Sequence, residues 1–247
     1  MNKSTVFSII NRFKTSYIIV LMVSIVAIAL LFPQTIQSVM HIIRIRPLDN
    51  KVIVIDPGHG GIDGGTNIGD ILEKDINLSI SLKLKDLLSK KGATVIMTRE
   101  IDNSLDDHII GNGSRHREDL GARVKIIDES KADIFISLHV NHIKNEKKQG
   151  PIVFYDTNKE EQRYLAEHMQ EYLNDILTYK KIGITVKHVA TAADYYILRN
   201  SIISGIIVEM GFISNVTDRK LLLEEDHQNE IVEQITKAVI VYFNDMR

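Results

Sequence analysis

The stretch Val52-Ile53-Val54-Ile55-Asp56-Pro57-Gly58-His59-Gly60-Gly61 decides the fold, because it runs a buried-strand pattern straight into a glycine-rich turn that carries a histidine. Val52 to Ile55 are all β-branched with no polar residue among them, which reads as a strand covered on both faces in an α/β sheet. Pro57 closes the strand. The glycines at 58, 60 and 61 permit positive φ and close backbone approach, so His59 is presented at the strand's carboxyl end, where open α/β sheets place their ligands. On its own the turn has two readings, a tight strand-to-helix connection with an incidental histidine or a functional loop. A phosphate cradle fails on spacing, because the position for a third glycine is Asp63 and no Gly-Lys-Ser/Thr follows.

Outward from this stretch, strands and helices alternate. Asp75 to Lys91 carries apolar residues at helical spacing and closes on Gly92, and Thr94 to Thr98 is the next strand. A polar loop follows from Arg99 to about His116. Leu120 to Glu129 reads as a helix, and Ile134 to Leu138 as a buried strand that ends at His139. Ile152 to Tyr155 is a strand and Lys159 to Leu177 an amphipathic helix, with Ile184 to Val189 and Tyr195 to Leu198 as shorter strand candidates. Ile206 to Val208 is a buried strand running into Glu209, and helices over Thr217 to Glu224 and Gln228 to Asn244 close the chain. The pattern predicts a single α/β domain, a largely parallel twisted sheet of about six strands with helices on both faces.

The chain has 247 residues, a quarter of them charged, with a net charge of −2; nothing in that balance points to nucleic acid. It has no cysteine, so a metal must be held by His, Asp or Glu. Tyr17 to Phe32 is an unbroken apolar and small-residue run behind Lys3, Arg12 and Lys14, the layout of a signal peptide or an N-terminal membrane helix. No small-x-small site follows Phe32, which favours an uncleaved anchor with a cytoplasmic amino terminus. The division is then residues 1–33 as leader, 34–50 as stalk and 51–247 as catalytic domain.

Three buried strands thus end in His59, His139 and Glu209, which can meet at one edge of the sheet, and Glu73 lies fourteen positions after His59 on the way back to the first helix. Two imidazoles and a carboxylate are a common zinc set for hydrolysis, with a further carboxylate to move protons. Glu73 and Glu209 fill those two jobs. The alternative for each is plain: a polar residue satisfied at a strand end, or, for Glu73 beside Lys74, a solvated loop charge. Glu209 fits that alternative least, since an acid at the mouth of a buried strand is costly unless paired or ligated.

Val54 to Gly61, Leu72-Glu73-Lys74-Asp75, Thr98-Arg99, Ile136 to Asn141 and Val208 to Asn215 together resemble, in order, the successive motifs of the zinc-dependent N-acetylmuramoyl-L-alanine amidases. The resemblance implies Zn2+ held by His59, Glu73 and His139, with Glu209 as general acid/base. The substrate it implies is the amide between the muramic acid lactyl group and the first L-alanine of the peptidoglycan stem peptide. Arg123 resembles the arginine of the family's central helix, and Arg199 follows Leu198 in what resembles a strand beside the substrate groove; with Asn141 they are the implied substrate-binding residues. Departures are Asp128 for a central-helix asparagine, Ser204 for a proline before the last strand, and Lys181-Ile182-Gly183 for an arginine-glycine turn. The segment Ile143 to Gln149 is short, which argues against a helix that plugs the zinc site. One catalytic domain behind a membrane leader, without wall-binding repeats, resembles the family's germination-specific branch. That implies export, an anchored or secreted protein between forespore and mother-cell membranes, action on spore cortex, and an accessory protein as a partner that activates it or loads zinc. The alternatives are a vegetative wall amidase for division or turnover and a non-catalytic wall-binding protein.

Overall fold

The computed structural model describes residues 17–27, 46–106 and 114–246. Contacts divide the chain after Pro47, and helix α1 (17–27) belongs to the first unit. Among the described residues no helix is long and apolar enough to cross a membrane. The basic leader residues, the end of the apolar run and residues 34–45 of the expected stalk lie outside the described residues.

The second unit is an α/β domain built on a six-stranded sheet. Its strands, in spatial order, are β4 (Thr94–Met97), β1 (Val52–Pro57), β5 (Ile134–Asn141), β8 (Gly205–Phe212), β6 (Ile152–Tyr155) and β7 (Thr191–Ala192). The first four run parallel, and β6 pairs antiparallel with β8 and parallel with β7. A two-stranded hairpin of β2 (Asn67–Ile68) and β3 (Ile71–Leu72) leads into helix α2 (Glu73–Lys90). The other helices are α3 (Arg115–Glu129), α4 (Glu160–Leu173), α5 (Leu177–Lys181), α6 (Tyr196–Asn200), α7 (Val216–Leu221) and α8 (Glu225–Asp245).

Side chains alternate across a strand, so each strand feeds two cores. Ile53, Ile55, Ile134, Ile136, Ile206 and Val208 point into the larger one, beside Ile80 and Leu84 of α2, Leu165 of α4 and Ile235 of α8. Val54, Phe135 and Ile207 point the other way, into a smaller cluster with Ile127 of α3 and Ile197 and Leu198 of α6. The same parity, continued toward the carboxyl ends, puts Asp56, Ser137, His139 and Glu209 on the smaller face. There the apolar layer gives way to polar groups.

Several elements extend past their predicted ends. β5 continues through His139 to Asn141, with an irregularity in its pairing to β8 between those two residues, and β8 continues through Glu209 to Phe212. His139 and Glu209 therefore lie within strands, as direct register partners. Glu73 opens α2 rather than sitting in the preceding loop. Two sequence expectations are corrected. Residues 184–189 form no strand, and Tyr195 to Leu198 is not a strand either: β7 is the short pair Thr191–Ala192, and Tyr196–Asn200 is the helix α6, whose Ile197 and Leu198 cover the smaller core. A β-like local composition loses there to the need for a helical lid on that face.

Candidate active site

The loop after β1 starts from a buried acid. Asp56 is paired in register with Ser137 and accepts hydrogen bonds from Ser137 Oγ and Thr98 Oγ1, both at 2.6 Å, and from Arg123 Nη1 at 2.7 Å. Burial works against its charge, but Arg123 and the two hydroxyls win and hold the carboxyl down at about 2. Above it the chain turns through His59, a non-glycine residue at φ 60°. His59 Nδ1 lies 2.8 Å from Asp63 Oδ2, which leaves Nε2 facing Glu73 Oε1 at 3.2 Å.

Glu73 is the meeting point. Its Oε1 lies 3.0 Å from His139 Nδ1 and also accepts from Val140 N and Asn77 Nδ2, while Oε2 accepts from Thr66 N at 2.9 Å. The carboxyl is buried, yet hydrogen bonds from His139 and His59 hold it well below the usual carboxylate range. His59 responds in the opposite sense: burial lowers it, but Glu73 and Asp63 push it up to about 9. The two rings stand edge to face, centroids 5.1 Å apart. One donor atom from each of His59, Glu73 and His139 lies within 4.8 Å of the others.

This donor set fits a cation. With Nδ1–H donating to the Asp63 carboxylate, a neutral His59 ring would turn its Nε2 lone pair toward a carboxylate oxygen, an arrangement that calls for a proton or a metal ion between them. Two glycines wrap the group closely. A Cβ at Gly58 would sit 2.2 Å from His139 Cε1, and one at Gly65, where φ is +66°, would sit 2.6 Å from Glu73 Oε2. Nitrogen and oxygen donors without sulfur suit zinc in a hydrolytic role.

Beside the group opens a cleft of about 520 Å³, bordered by Asn141, Tyr195 and Glu209 among others. Glu209 is buried and its Oε2 has no hydrogen-bond partner. Burial, with the charge of Glu73 adding to it against the two histidines, pushes the Glu209 carboxyl up to about 7. An acid near neutrality in a cleft, with one oxygen free, is equipped to take up and return a proton.

With those distances in place, comparison with known proteins decides the family. The family model described as N-acetylmuramoyl-L-alanine amidase matches residues 53–241. This chain belongs to that family. A germination-specific N-acetylmuramoyl-L-alanine amidase of Bacillus subtilis (strain 168) is 36% identical to this amidase over 200 residues, 81% of this chain and 82% of the relative. A probable cell wall amidase, LytH, of Staphylococcus saprophyticus is 33% identical over 205 residues, covering 61% of that protein. The structure of the CwlD amidase from Clostridioides difficile in complex with the GerS lipoprotein superposes with a TM-score of 0.72 at 34% identity, over 79% of this chain and all of that one.

The geometry treats the other sequence candidates differently. Asn141 borders the cleft. Arg123 reaches its wall, but its donors go to Asp56, Asp119 and the carbonyls of Pro57 and His59, so it braces the loop from beneath. Arg199, carried on α6 instead of a strand, ion-pairs with Asp194 and is not among the residues that border the cleft. Sequence reasoning missed Asp56, Asp63 and Tyr195. Asp56 carried a signal, an acid at the end of an apolar run; Asp63, four residues after His59, had only proximity.

Proposed function

We propose that this amidase is a zinc enzyme that cleaves the bond between the muramic acid lactyl group and L-alanine in spore cortex peptidoglycan, on the way to muramic lactam. The observation that carries the zinc reading is the convergence of His59 Nε2 and His139 Nδ1 on Glu73 Oε1, with Glu209 unpartnered beside them. His59, Glu73 and His139 hold the metal. Bound zinc supplies a water whose pKa is brought to about 7 and polarises the attacked carbonyl.

The remaining work belongs to the chain. Glu209 accepts the proton of the attacking water and returns it to the departing L-alanine amine, a task suited to a carboxyl near neutrality. Asp63 fixes the His59 tautomer by holding Nδ1, and Thr66 N and Val140 N fix the Glu73 carboxylate. Asn141 at the cleft border is the candidate contact to substrate. Similarity to a germination-specific amidase supports the cortex role, and the neighbour solved with a lipoprotein supports an accessory protein as partner. The apolar run from Tyr17 anchors the chain to the membrane, with residues 34–50 as stalk and the catalytic domain outside the cytoplasm, between forespore and mother-cell membranes.

Mass spectrometry of muropeptides tests this. The purified protein, with and without added zinc, is incubated with vegetative and with cortex peptidoglycan. Zinc-dependent release of stem peptides beginning at L-alanine, faster from cortex, is expected. Equal rates from both walls would favour a vegetative role, and no release from zinc-loaded protein would point to a missing activator or to wall binding alone.

A further inference from the structure

We infer that Arg99 and Arg123 are positioning residues that preset His59 for metal by gripping the carbonyls of three consecutive loop residues. Pro57 O accepts from Arg99 Nε at 3.0 Å and from Arg123 Nη1 at 2.8 Å. Gly58 O accepts from Arg99 Nη2 at 3.0 Å and Asn77 Nδ2 at 3.2 Å, and His59 O from Arg123 Nη2 at 2.7 Å. Both arginines are almost fully buried, 3% and 2% exposed. The next two carbonyls are also engaged, Gly60 O by Asp63 N and Gly61 O by Lys74 Nζ.

Every carbonyl from Pro57 to Gly61 therefore points at a donor, four of the five at side chains. A loop with free carbonyls would relax its left-handed histidine, a backbone conformation that disfavours a residue with a Cβ. Here the donors oppose that relaxation. Arg99 Nη2 also donates to Lys74 O in the first turn of α2, so one guanidinium ties the His59 loop to the helix that starts with Glu73. Arg123 is fixed in turn by Asp56 and Asp119. Every donor in the clamp is a protein group, so the His59–Glu73 spacing should be kept without an ion.

This inference rests on the zinc reading above, and zinc affinity separates the two. Kd is measured by chelator competition for the wild type, Arg99→Lys, Arg123→Lys and the surface control Arg163→Lys, with thermal unfolding of each metal-free protein alongside. Lysine keeps the charge but not the forked donors. The two buried variants should bind zinc about ten- to a hundredfold more weakly, the range typical of groups that orient metal ligands, and the control should match wild type. Lowered melting temperatures with unchanged Kd would assign the arginines to stability alone and overturn the clamp. If a buried variant fails to fold, Lys74→Met at the loop's rim should still weaken zinc about tenfold. Hydrogen exchange adds a second readout: the amides of Gly60, Gly61 and Asp63 should be as protected without zinc as with it, and protection that appears only with zinc overturns the proposal. Wild type that binds no zinc would remove the metal reading and the clamp together.

Discussion

The two faces of the central sheet are built for different ends. On one, α2, α4 and α8 bury a continuous apolar layer that includes Leu84, Leu165, Met169 and Ile235. On the other, Val54, Phe135 and Ile207 meet Ile127, Ile197 and Leu198 in a small patch. Beyond that patch, the same strands carry Asp56, Ser137, His139 and Glu209, three of them buried. Close packing on the first face supplies the stability that lets the second carry buried charge at the cleft.

Replacing the proposed proton-handling group should give the largest separation of the two roles. Glu209→Gln is expected to lower turnover about a thousandfold while zinc content and melting temperature hold, since Oε2 has no partner to lose. Amide release and metal analysis on the same sample check it. A variant that unfolds would show the smaller face to be structural too. Leu84→Ala is the converse: a loss of about 2–5 kcal/mol in urea unfolding, with turnover per folded molecule unchanged.

Acid should act in opposite senses on buried groups of the two faces. On the larger face, buried His227 packs edge-on against Tyr179 and leaves Nε2 without a partner. Burial, opposed only in part by Glu230, pushes it down to about 4. Because the folded form resists protonation, its contribution to stability is fully present above about 6.5 and is lost as pH drops toward 4, by on the order of 3 kcal/mol. Asp56 on the smaller face is held at about 2, so its contribution, on the order of 2 kcal/mol, is lost only below the ordinary carboxylate value. Glu209, raised to about 7, works in the opposite sense, adding stability as pH falls through the His227 range. His227→Gln should therefore gain urea midpoint relative to wild type between pH 6.5 and 4, and Asp56→Asn should show no such gain. The smallest effect is expected from Ile207→Val, about 1 kcal/mol in the thin patch, read by the same unfolding series.

What could be read from the chain follows from how local each feature is. The β-branched run at Val52 and the strands that carry His139 and Glu209 announced themselves by composition, so the positions of His59, His139 and Glu209 at strand ends were legible, whereas Glu73, beside Lys74 and on no such run, read equally as a loop charge. Strand ends were less so, because hydrophobicity fades at His139 and Glu209 while backbone pairing continues through them. Tyr195 to Leu198 misled because helix α6 is decided by the core it covers. The role of Arg123 was hidden for a different reason: its partner Asp56 is 67 positions away, and whether an arginine meets substrate or a buried acid depends on that pairing.

The notch at Gly58 has a bearing on how the sheet assembles. The imidazole of His139 occupies the space that a side chain at position 58 would take, so β1 and β5 carry a lock and key across their shared ladder. A one-residue slip would send His139 to the opposite side of the sheet and leave the notch empty. The histidine proposed as a metal ligand thereby doubles as an alignment gauge, rewarding during folding the one register that brings the proposed site together.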